Sequence, residues 1–256
     1  MPGTLSGVRV LVTRPTDPES DFIALLEKRG AAVTSLPLVQ IGPPPDERAL
    51  QTAVDSAERF DWVAFTSAAG VDSFTRRRTH KLPGGVPKIA AVGPATARAI
   101  EASFGRAPDL IPARFSGEAL ADALLARGTI GTILIVQAAD ARPALSARLR
   151  NAGNAVTTVA AYSTVEVRPA DLQERLAACD AVVLASPSAA HALVHGLGES
   201  RAIATLRGKL IACIGPVTLL EARGLGLHVE IVPEASTLPA LVEALCAYYS
   251  SRPPKR

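Results

Sequence analysis

The chain has 256 residues, 48% of them hydrophobic and 20% charged, which is enough apolar material for the cores of two globular domains. A net charge of +3 is too small to mark a nucleic-acid binder and suits small anionic ligands through a mild positive field. Cys179, Cys213 and Cys246 stand far apart with no C-x-x-C, which argues against a disulfide framework or a zinc ribbon and fits a reducing cytoplasm. The start, MPGTLSGVRVLVTRP, has no hydrophobic stretch of signal-peptide length, and no apolar run reaches a membrane span. A cytoplasmic protein without membrane contact is therefore expected.

Read in chain order, short β-rich runs alternate with amphipathic helical stretches. VRVLV (8–12) reads as a buried strand. Asp17-Pro18-Glu19 then supplies an N-cap, a proline at the first helical position and an acid in the first turn. Phe22, Leu25 and Leu26 form one apolar stripe, and Gly30 ends that helix. Strands are predicted at 33–36, 62–66 (WVAFT), 88–92 (KIAAV), 109–111, 132–136 (TILIV), 155–159 (AVTTV), 181–185 (AVVLA), 209–214 (KLIACI) and 228–232 (HVEIV). Such alternation means parallel sheets covered on both faces by helices. Cys213, inside an apolar strand, reads as a small buried hydrophobe.

The chain repeats itself. GVRVLVTR…KRGAAVTSLPL (segment A, 7–38) resembles GTILIVQA…NAGNAVTTVAA (segment A′, 131–161). DWVAFTSAAG resembles DAVVLASPSA, VGPATARAI resembles IGPVTLLEA, and IPARFSGEALADAL resembles VPEASTLPALVEAL, defining segment B (61–128) and its copy B′ (180–247). Each A contributes two strands and each B three, so one A with one B makes a five-stranded α/β domain. The pattern does not decide which A joins which B. Contiguous halves are the simple default; the alternative nests B+A′ as an uninterrupted domain inside a split A+B′. Two segments then cross between domains, LVQIGPPP (38–45), kept extended by three prolines, and YSTVEVRP (162–169).

At this point the chain resembles the uroporphyrinogen-III synthase family over nearly its whole length. The matching elements are LVTRP (11–15), FTSAAGV (65–71), VGPATARAI (92–100), FSGEAL (115–120), AYSTV (161–165), ASPSA (185–189) and IGPVT (214–218), and their order carries more than any one of them. The resemblance implies the nested arrangement. Residues 1–37 with 171–250 form a split domain, 46–160 a continuous one, and 38–45 and 161–170 the connectors, a two-stranded linker joining two five-stranded, parallel-sheet, flavodoxin-like domains with an active cleft between them. It implies that hydroxymethylbilane loses water and closes to uroporphyrinogen III with its last pyrrole ring inverted, in haem biosynthesis. No cofactor and no metal are implied, and a monomer is expected. The competing class is a non-catalytic two-domain hinge protein that closes on a small polycarboxylate.

Ligands of open parallel sheets bind beyond the carboxyl ends of the strands. Each Gly-Pro-x-Thr turn (Gly93 to Thr96, Gly215 to Thr218) falls at such an end and opens a helix whose free amides and dipole suit a carboxylate. Hydroxymethylbilane carries an acetate and a propionate on each ring. Gly93, Thr96, Gly215 and Thr218 are accordingly expected to contact it, or Thr96 and Thr218 only cap their helices. Ser67 and Ser186 occupy equivalent strand ends, and Ser116, followed by Gly117, and Thr237 equivalent helix starts; capping alone also explains the last two hydroxyls. Arg14 and Arg142 can pair with carboxylates in a fork, or stand as plain surface arginines. The resemblance favours Arg14 within LVTRP. It fits Arg142 less fully, because the glycine often found ahead of that arginine is absent.

Tyr162, in AYSTV, stands where the family has a tyrosine facing the cleft, and a neutral phenol can protonate the departing hydroxyl. Its alternative is an amphipathic residue lining a hinge. Thr13 is singled out by neither argument. His191 and His195 are spaced as a helical pair but lack a third ligand at a suitable spacing, so no metal site is expected. RRRTHK (76–81) has no aromatic stacking partners and reads as a solvated helix end or loop, not a nucleic-acid contact. No G-x-G-x-x-G follows a strand, no nucleophile elbow is present, and SRPPKR (251–256) reads as a disordered tail.

Overall fold

A computed structural model describes residues 3–14, 22–78, 87–128 and 130–251. The expected cap at Asp17-Pro18-Glu19, the end of RRRTHK from Thr79 and the tail beyond Ser251 lie outside the described residues. The chain divides into two compact units, Met1–Gln40 with Val165–Arg256 (the split unit) and Ile41–Thr164 (the continuous unit).

In chain order the first elements are β1 (Arg9–Val12), α1 (Phe22–Lys28), β2 (Ala32–Ser35), β3 (Val39–Gly42) and α2 (Glu47–Asp55). Then come β4 (Trp62–Phe65), α3 (Ala68–Thr75), β5 (Lys88–Ala91), α4 (Pro94–Phe104), α5 (Gly117–Leu125), β6 (Thr132–Ala138), α6 (Ala144–Asn151) and β7 (Ala155–Glu166). The last are α7 (Leu172–Ala177), β8 (Ala181–Leu184), α8 (Pro187–Leu197), α9 (Glu199–Leu206), β9 (Leu210–Cys213), α10 (Pro216–Gly224) and α11 (Leu238–Ser250).

The split unit carries the sheet β2-β1-β8-β9. Strand β1 pairs in parallel with β2 and with β8, so segment A shares a sheet with B′. Both faces of this sheet are covered. Val182 and Leu184 join the cluster with Leu193 and Leu197, whereas Ala181 and Val183 join the cluster with Phe22, Leu26 and Leu241. Two-sided burial is why the β8 run AVVL is apolar at every position instead of alternating.

The continuous unit carries β7-β6-β4-β5, with β3 beside β7 as the outer strand. Here β4 pairs in parallel with β6, so B shares a sheet with A′. Its faces are again both covered, by Val63 and Phe65 with Phe74 and Ile100, and by Trp62 and Ala64 with Leu120 and Leu149. Counted from the A-type strands, both units have the same doubly wound order, and one is a circular permutation of the other. Where the chain crosses, Ser163 N–H donates to Pro43 C=O (3.1 Å) and Val167 N–H donates to Leu38 C=O (2.8 Å).

The expected count of five strands in each sheet needs correction: the sheets have four and five. The strands predicted at 109–111 and 228–232 shrink to isolated bridges, Leu110 to Ala90 and Ile231 to Ala212. Pro108 and Pro112 flank the first and Pro233 follows the second, and a proline has no N–H to extend a ladder. The five strands of the second sheet are completed by β3, which lies in the connector expected to be one strand of a two-stranded linker.

Each sheet is tied at the strand bottoms by the aspartate that opens its B-type segment. Asp61 Oδ2 accepts from Thr132 N–H (2.7 Å) and Thr132 Oγ1 (2.8 Å), and Thr132 belongs to A′. The equivalent Asp180 accepts from the backbone N–H (3.0 Å) and guanidinium of Arg9, in A. The Thr132 backbone amide holds the Asp61 carboxyl below its ordinary pKa. Gly131, at φ +71°, leaves room for this contact, since a Cβ there would lie 2.3 Å from Asp61 Oδ2.

A fragment of residues 41–164 is expected to unfold cooperatively on heating, because it contains β4 and its partner β6. A fragment of residues 1–128 is expected not to, because β1 loses β8 and β4 loses β6. Calorimetry giving the opposite pair of results would overturn this division.

Candidate functional site

At the carboxyl end of the continuous unit's sheet, β4 runs into Ser67, whose extended backbone (φ −163°) makes it the N-cap of α3. Its Oγ accepts from Gly70 N–H at 3.0 Å. Strand β5 runs into Gly93, the N-cap of α4, with Pro94 at the first helical position. Ser116 caps α5 by accepting from Ala119 N–H at 3.2 Å, and Gly117 is the first residue of that helix. The split unit repeats each feature. Ser186 caps α8 (Ala189 N–H, 3.2 Å), Gly215 caps α10 ahead of Pro216, and Thr237 caps α11 (Ala240 N–H, 3.3 Å).

Of the six expected Ser and Thr hydroxyls, those of Ser67, Ser116, Ser186 and Thr237 are therefore side-chain N-caps. One lone pair of each oxygen is used by its own helix, and a hydroxyl has further hydrogen-bonding capacity; part of it acts on the Glu118 carboxyl at Ser116 and on the Tyr162 phenol at Ser67. Capping and binding are compatible, and capping fixes where the oxygen sits.

Thr96 and Thr218 differ from the expectation of local caps. They stand in the first turns of α4 and α10, are 3% and 2% exposed, and the cap positions belong to Gly93 and Gly215. Neither glycine has a cap side chain to cover the first-turn amides, which leaves those N–H groups and the helix dipole facing out of the strand end.

The reason for glycine at these turns is packing. Both have φ −173°, an extended value open to any residue. A Cβ on Gly93, however, would lie 3.2 Å from Phe115 Cβ, and one on Gly215 would lie 2.3 Å from Ser236 Oγ and 3.0 Å from Ser236 Cβ. Phe115 and Ser236 each precede a capping hydroxyl, Ser116 and Thr237. The Gly-Pro turn and the neighbouring cap thus form one packed unit, built twice.

Tyr162, near the end of β7, is half-buried against the cluster of Phe65, Phe74 and Ala161. Burial pushes its phenol pKa up; a side-chain hydrogen bond with Ser67 pulls the other way, and the charge of Asp140 adds to the rise. It stays a neutral donor throughout the neutral range. Arg142 is exposed in the loop before α6, with Pro143 at the N-cap. Its charge helps hold the Glu118 carboxyl below its ordinary pKa, after the larger effects of Glu118's own backbone amide and the Ser116 hydroxyl. An acidic neighbour thus already shares the field of Arg142.

Arg14 follows Thr13 just beyond β1 and is half-buried. Thr13, not singled out from sequence, is fully buried, and its Oγ1 donates to Val183 C=O at 2.8 Å, fastening β1 to β8 beside the site. His191 and His195 have ring centroids 5.9 Å apart but face different carboxylates: His191 Nε2 lies 3.3 Å from Glu221 and His195 Nδ1 2.9 Å from Glu166. Among the described residues no group of His, Cys, Asp and Glu is arranged to hold a metal ion. Cys213 is buried in β9, and burial pushes its thiol pKa up to about 12, so it is an inert core residue. Among the described residues, no helix is long and apolar enough to cross a membrane. Sequence reading missed Asp140 and Glu118, since loop and first-turn acids carry no spacing signal of their own.

The fold is thus a duplicated α/β protein with parallel sheets and helix starts gathered at the carboxyl ends of its strands. The family model for "Uroporphyrinogen-III synthase HemD" matches residues 20–243. A uroporphyrinogen-III synthase of Synechococcus elongatus is 29% identical over 253 residues, 94% of this chain and 95% of that protein. The chloroplastic uroporphyrinogen-III synthase of Oryza sativa subsp. japonica is 32% identical over 92% of this chain and 79% of that protein. In fold, the chain resembles a mutant uroporphyrinogen III synthase of the extremely thermophilic bacterium Thermus thermophilus (TM-score 0.63, 20% identity, 96% of this chain and 100% of that one). It likewise resembles the synthetase of Helicobacter pylori 26695 (TM-score 0.64, 14% identity, 96% and 100%). The chain belongs to the uroporphyrinogen-III synthase family, whose members are enzymes of porphyrin biosynthesis. This favours the synthase over a non-catalytic polycarboxylate-binding hinge protein.

Replacing Gly215 by Ala is expected to lower stability by about 1–3 kcal/mol, the usual cost of overpacking. Gly93→Ala should cost less, because its nearest contact is longer. Adding Ser236→Ala should restore part of the Gly215→Ala loss, by removing the closest atom. Equal melting temperatures for all the variants would show that these turns tolerate a side chain.

Proposed function

We propose that this chain is a lyase that dehydrates and cyclises hydroxymethylbilane to uroporphyrinogen III with inversion of the last pyrrole ring, without a cofactor and in the cytoplasm. Family membership over residues 20–243 carries this reading. The chemistry at the strand ends agrees with it. The uncapped first turns after Gly93 and Gly215 suit acetate and propionate groups. The hydroxyls of Ser67, Ser116, Ser186 and Thr237 offer further donors in fixed places, and Arg14 and Arg142 supply positive charge. Gly117, Thr96 and Thr218 belong to the same helix starts and are included in the binding set.

A pyrrole nitrogen lone pair can expel the neighbouring hydroxyl and leave an azafulvene. The departing oxygen takes a proton from Tyr162 and leaves as water, and the proton lost from the pyrrole nitrogen restores the phenol. Closure at the unsubstituted position of the last ring would give the uninverted isomer, and this happens without an enzyme. The protein therefore acts mainly by orientation, holding the ring so that its substituted position attacks first, through a spiro intermediate.

Incubation with freshly made hydroxymethylbilane is expected to give isomer III well above the spontaneous background of isomer I. Isomer I alone, at the background rate, would refute the proposed activity.

Tyr162→Phe keeps the ring and removes the hydroxyl. General acid catalysis is typically worth about 10²–10⁴-fold, and an already activated leaving group places this loss near the low end. Isomer III should remain the main product. Because the acid works only while protonated and its pKa is raised, the wild-type rate should stay level through neutral pH. It should fall only above the ordinary tyrosine range near 10. Unchanged turnover in Tyr162→Phe would make Tyr162 a packing residue.

A further inference from the structure

Tyr162 stands at an irregularity of its sheet. Strands β6 and β7 keep regular parallel register up to Gln137 opposite Ala160, but the next pair is Ala138 with Tyr162. Ala161 is therefore an extra residue, a bulge. Alternation along β7 sends Val159 and Ala161 to the face covered by α3, and Val156 to the opposite face. By that alternation Tyr162 belongs with Val156. Instead it packs on the α3 face, against the cluster that contains Ala161. The extra residue accounts for the change of face, since a bulge re-aims the side chain that follows it.

One side chain fastens the bulge. Ser73 Oγ, on α3, donates to the Ala161 carbonyl at 2.5 Å. The same oxygen accepts from Arg77 Nη1 at 3.2 Å, and Arg77 also reaches Glu47 at 3.8 Å. Ala139 N–H then donates to the Tyr162 carbonyl at 2.9 Å. With the bulge held, the Tyr162 ring packs on the α3 face against the cluster of Phe65 and Phe74, where Ser67 and the charge of Asp140 act on its phenol.

The internal copy makes the association specific. In the matched segments Ser73 corresponds to Ala192 and Tyr162 corresponds to Val39. There the β1–β2 ladder ends at Val12 opposite Ser35, and beyond it Leu36 N–H donates to the Val12 carbonyl and Leu38 N–H to the Thr13 carbonyl. Serine and tyrosine are present together in one copy and missing together from the other, although Ser67 and Ser186 cap their helices alike in both.

We propose that Ser73 is a positioning residue: its hydroxyl, bonded to the Ala161 carbonyl, holds the bulge that turns Tyr162 onto the face covered by α3. Its effect on turnover rests on the reading of Tyr162 as proton donor; its effect on the tyrosine's surroundings does not. The two are measured separately in the full chain. Ultraviolet difference titration follows the phenol of Tyr162, with Tyr162→Phe as the blank for Tyr248 and Tyr249. Ser73→Ala is expected to move the Tyr162 midpoint down, toward the ordinary value near 10, as the ring gains solvent. Ser73→Thr keeps a hydroxyl and should leave the midpoint in place. Turnover of Ser73→Ala should fall about tenfold, with no further loss when it is combined with Tyr162→Phe. An unmoved midpoint in Ser73→Ala, or losses that multiply in the double variant, would overturn the proposal. If Tyr162→Phe alone turns over normally, the proton-donor reading fails, and the midpoint by itself decides whether Ser73 aims the ring.

Discussion

The parallel pairing of β1 with β8, and of β4 with β6, is the contact on which the rest depends. The first joins residues near the start of the chain to a strand beyond its middle; the second spans a shorter stretch. Both place an A-type strand beside a B-type strand, and both are fastened at the bottom by an aspartate, Asp180 on Arg9 and Asp61 on Thr132. These pairings bring the strand tops into line, and every candidate residue except Tyr162, Arg14 and Arg142 then follows as the start of a helix leaving one of those tops. Closing such distant strands has an entropic cost that the two-sided apolar cores must offset.

The strand tops also show how scaffold and binding chemistry share the same atoms. A capping serine spends one lone pair on its helix and is thereby held in place, while its hydroxyl keeps the capacity for a further hydrogen bond. A Gly-Pro start has no cap side chain to spend, so its amides remain open. Phe115 and Ser236 pack over the two glycines from the next helix start. The repeated motif is thus explained first by packing, and its suitability for carboxylates is a consequence of what packing leaves uncovered.

Duplication supplies two nearly equivalent scaffolds, and chemistry enters where they differ. Both copies cap the helix after the first B-type strand with serine, yet only one places a tyrosine beside that serine. The other has Val39, buried in the apolar core of its unit. A phenol kept neutral by burial is useful as a donor, and the bulge that turns it there is a local departure from an otherwise regular sheet.

The sequence by itself determined the alternation of strands and helices, the internal repeat, the capping positions and, through the ordered motifs, the family. These are local properties: periodicity, turn chemistry and residue order act over a few positions. WVAF and AVVL are apolar throughout because both faces are covered, and Ser67, Ser116, Ser186 and Thr237 sit where a hydroxyl followed by a helical run must sit. Repeat similarity was blind to partner choice, because A and A′ are alike and either could sit beside either B; in the structure β1 lies beside β8 and β4 beside β6. Strand count also escaped local reading, since prolines beside Leu110 and Ile231 limit a ladder only once the neighbouring strand is in place. The role of glycine at the two turns depends on Phe115 and Ser236, which approach from elsewhere in the chain. The face taken by Tyr162 was equally hidden, because a single extra residue reverses the alternation on which any reading of β7 relies, and only the register with β6 reveals it.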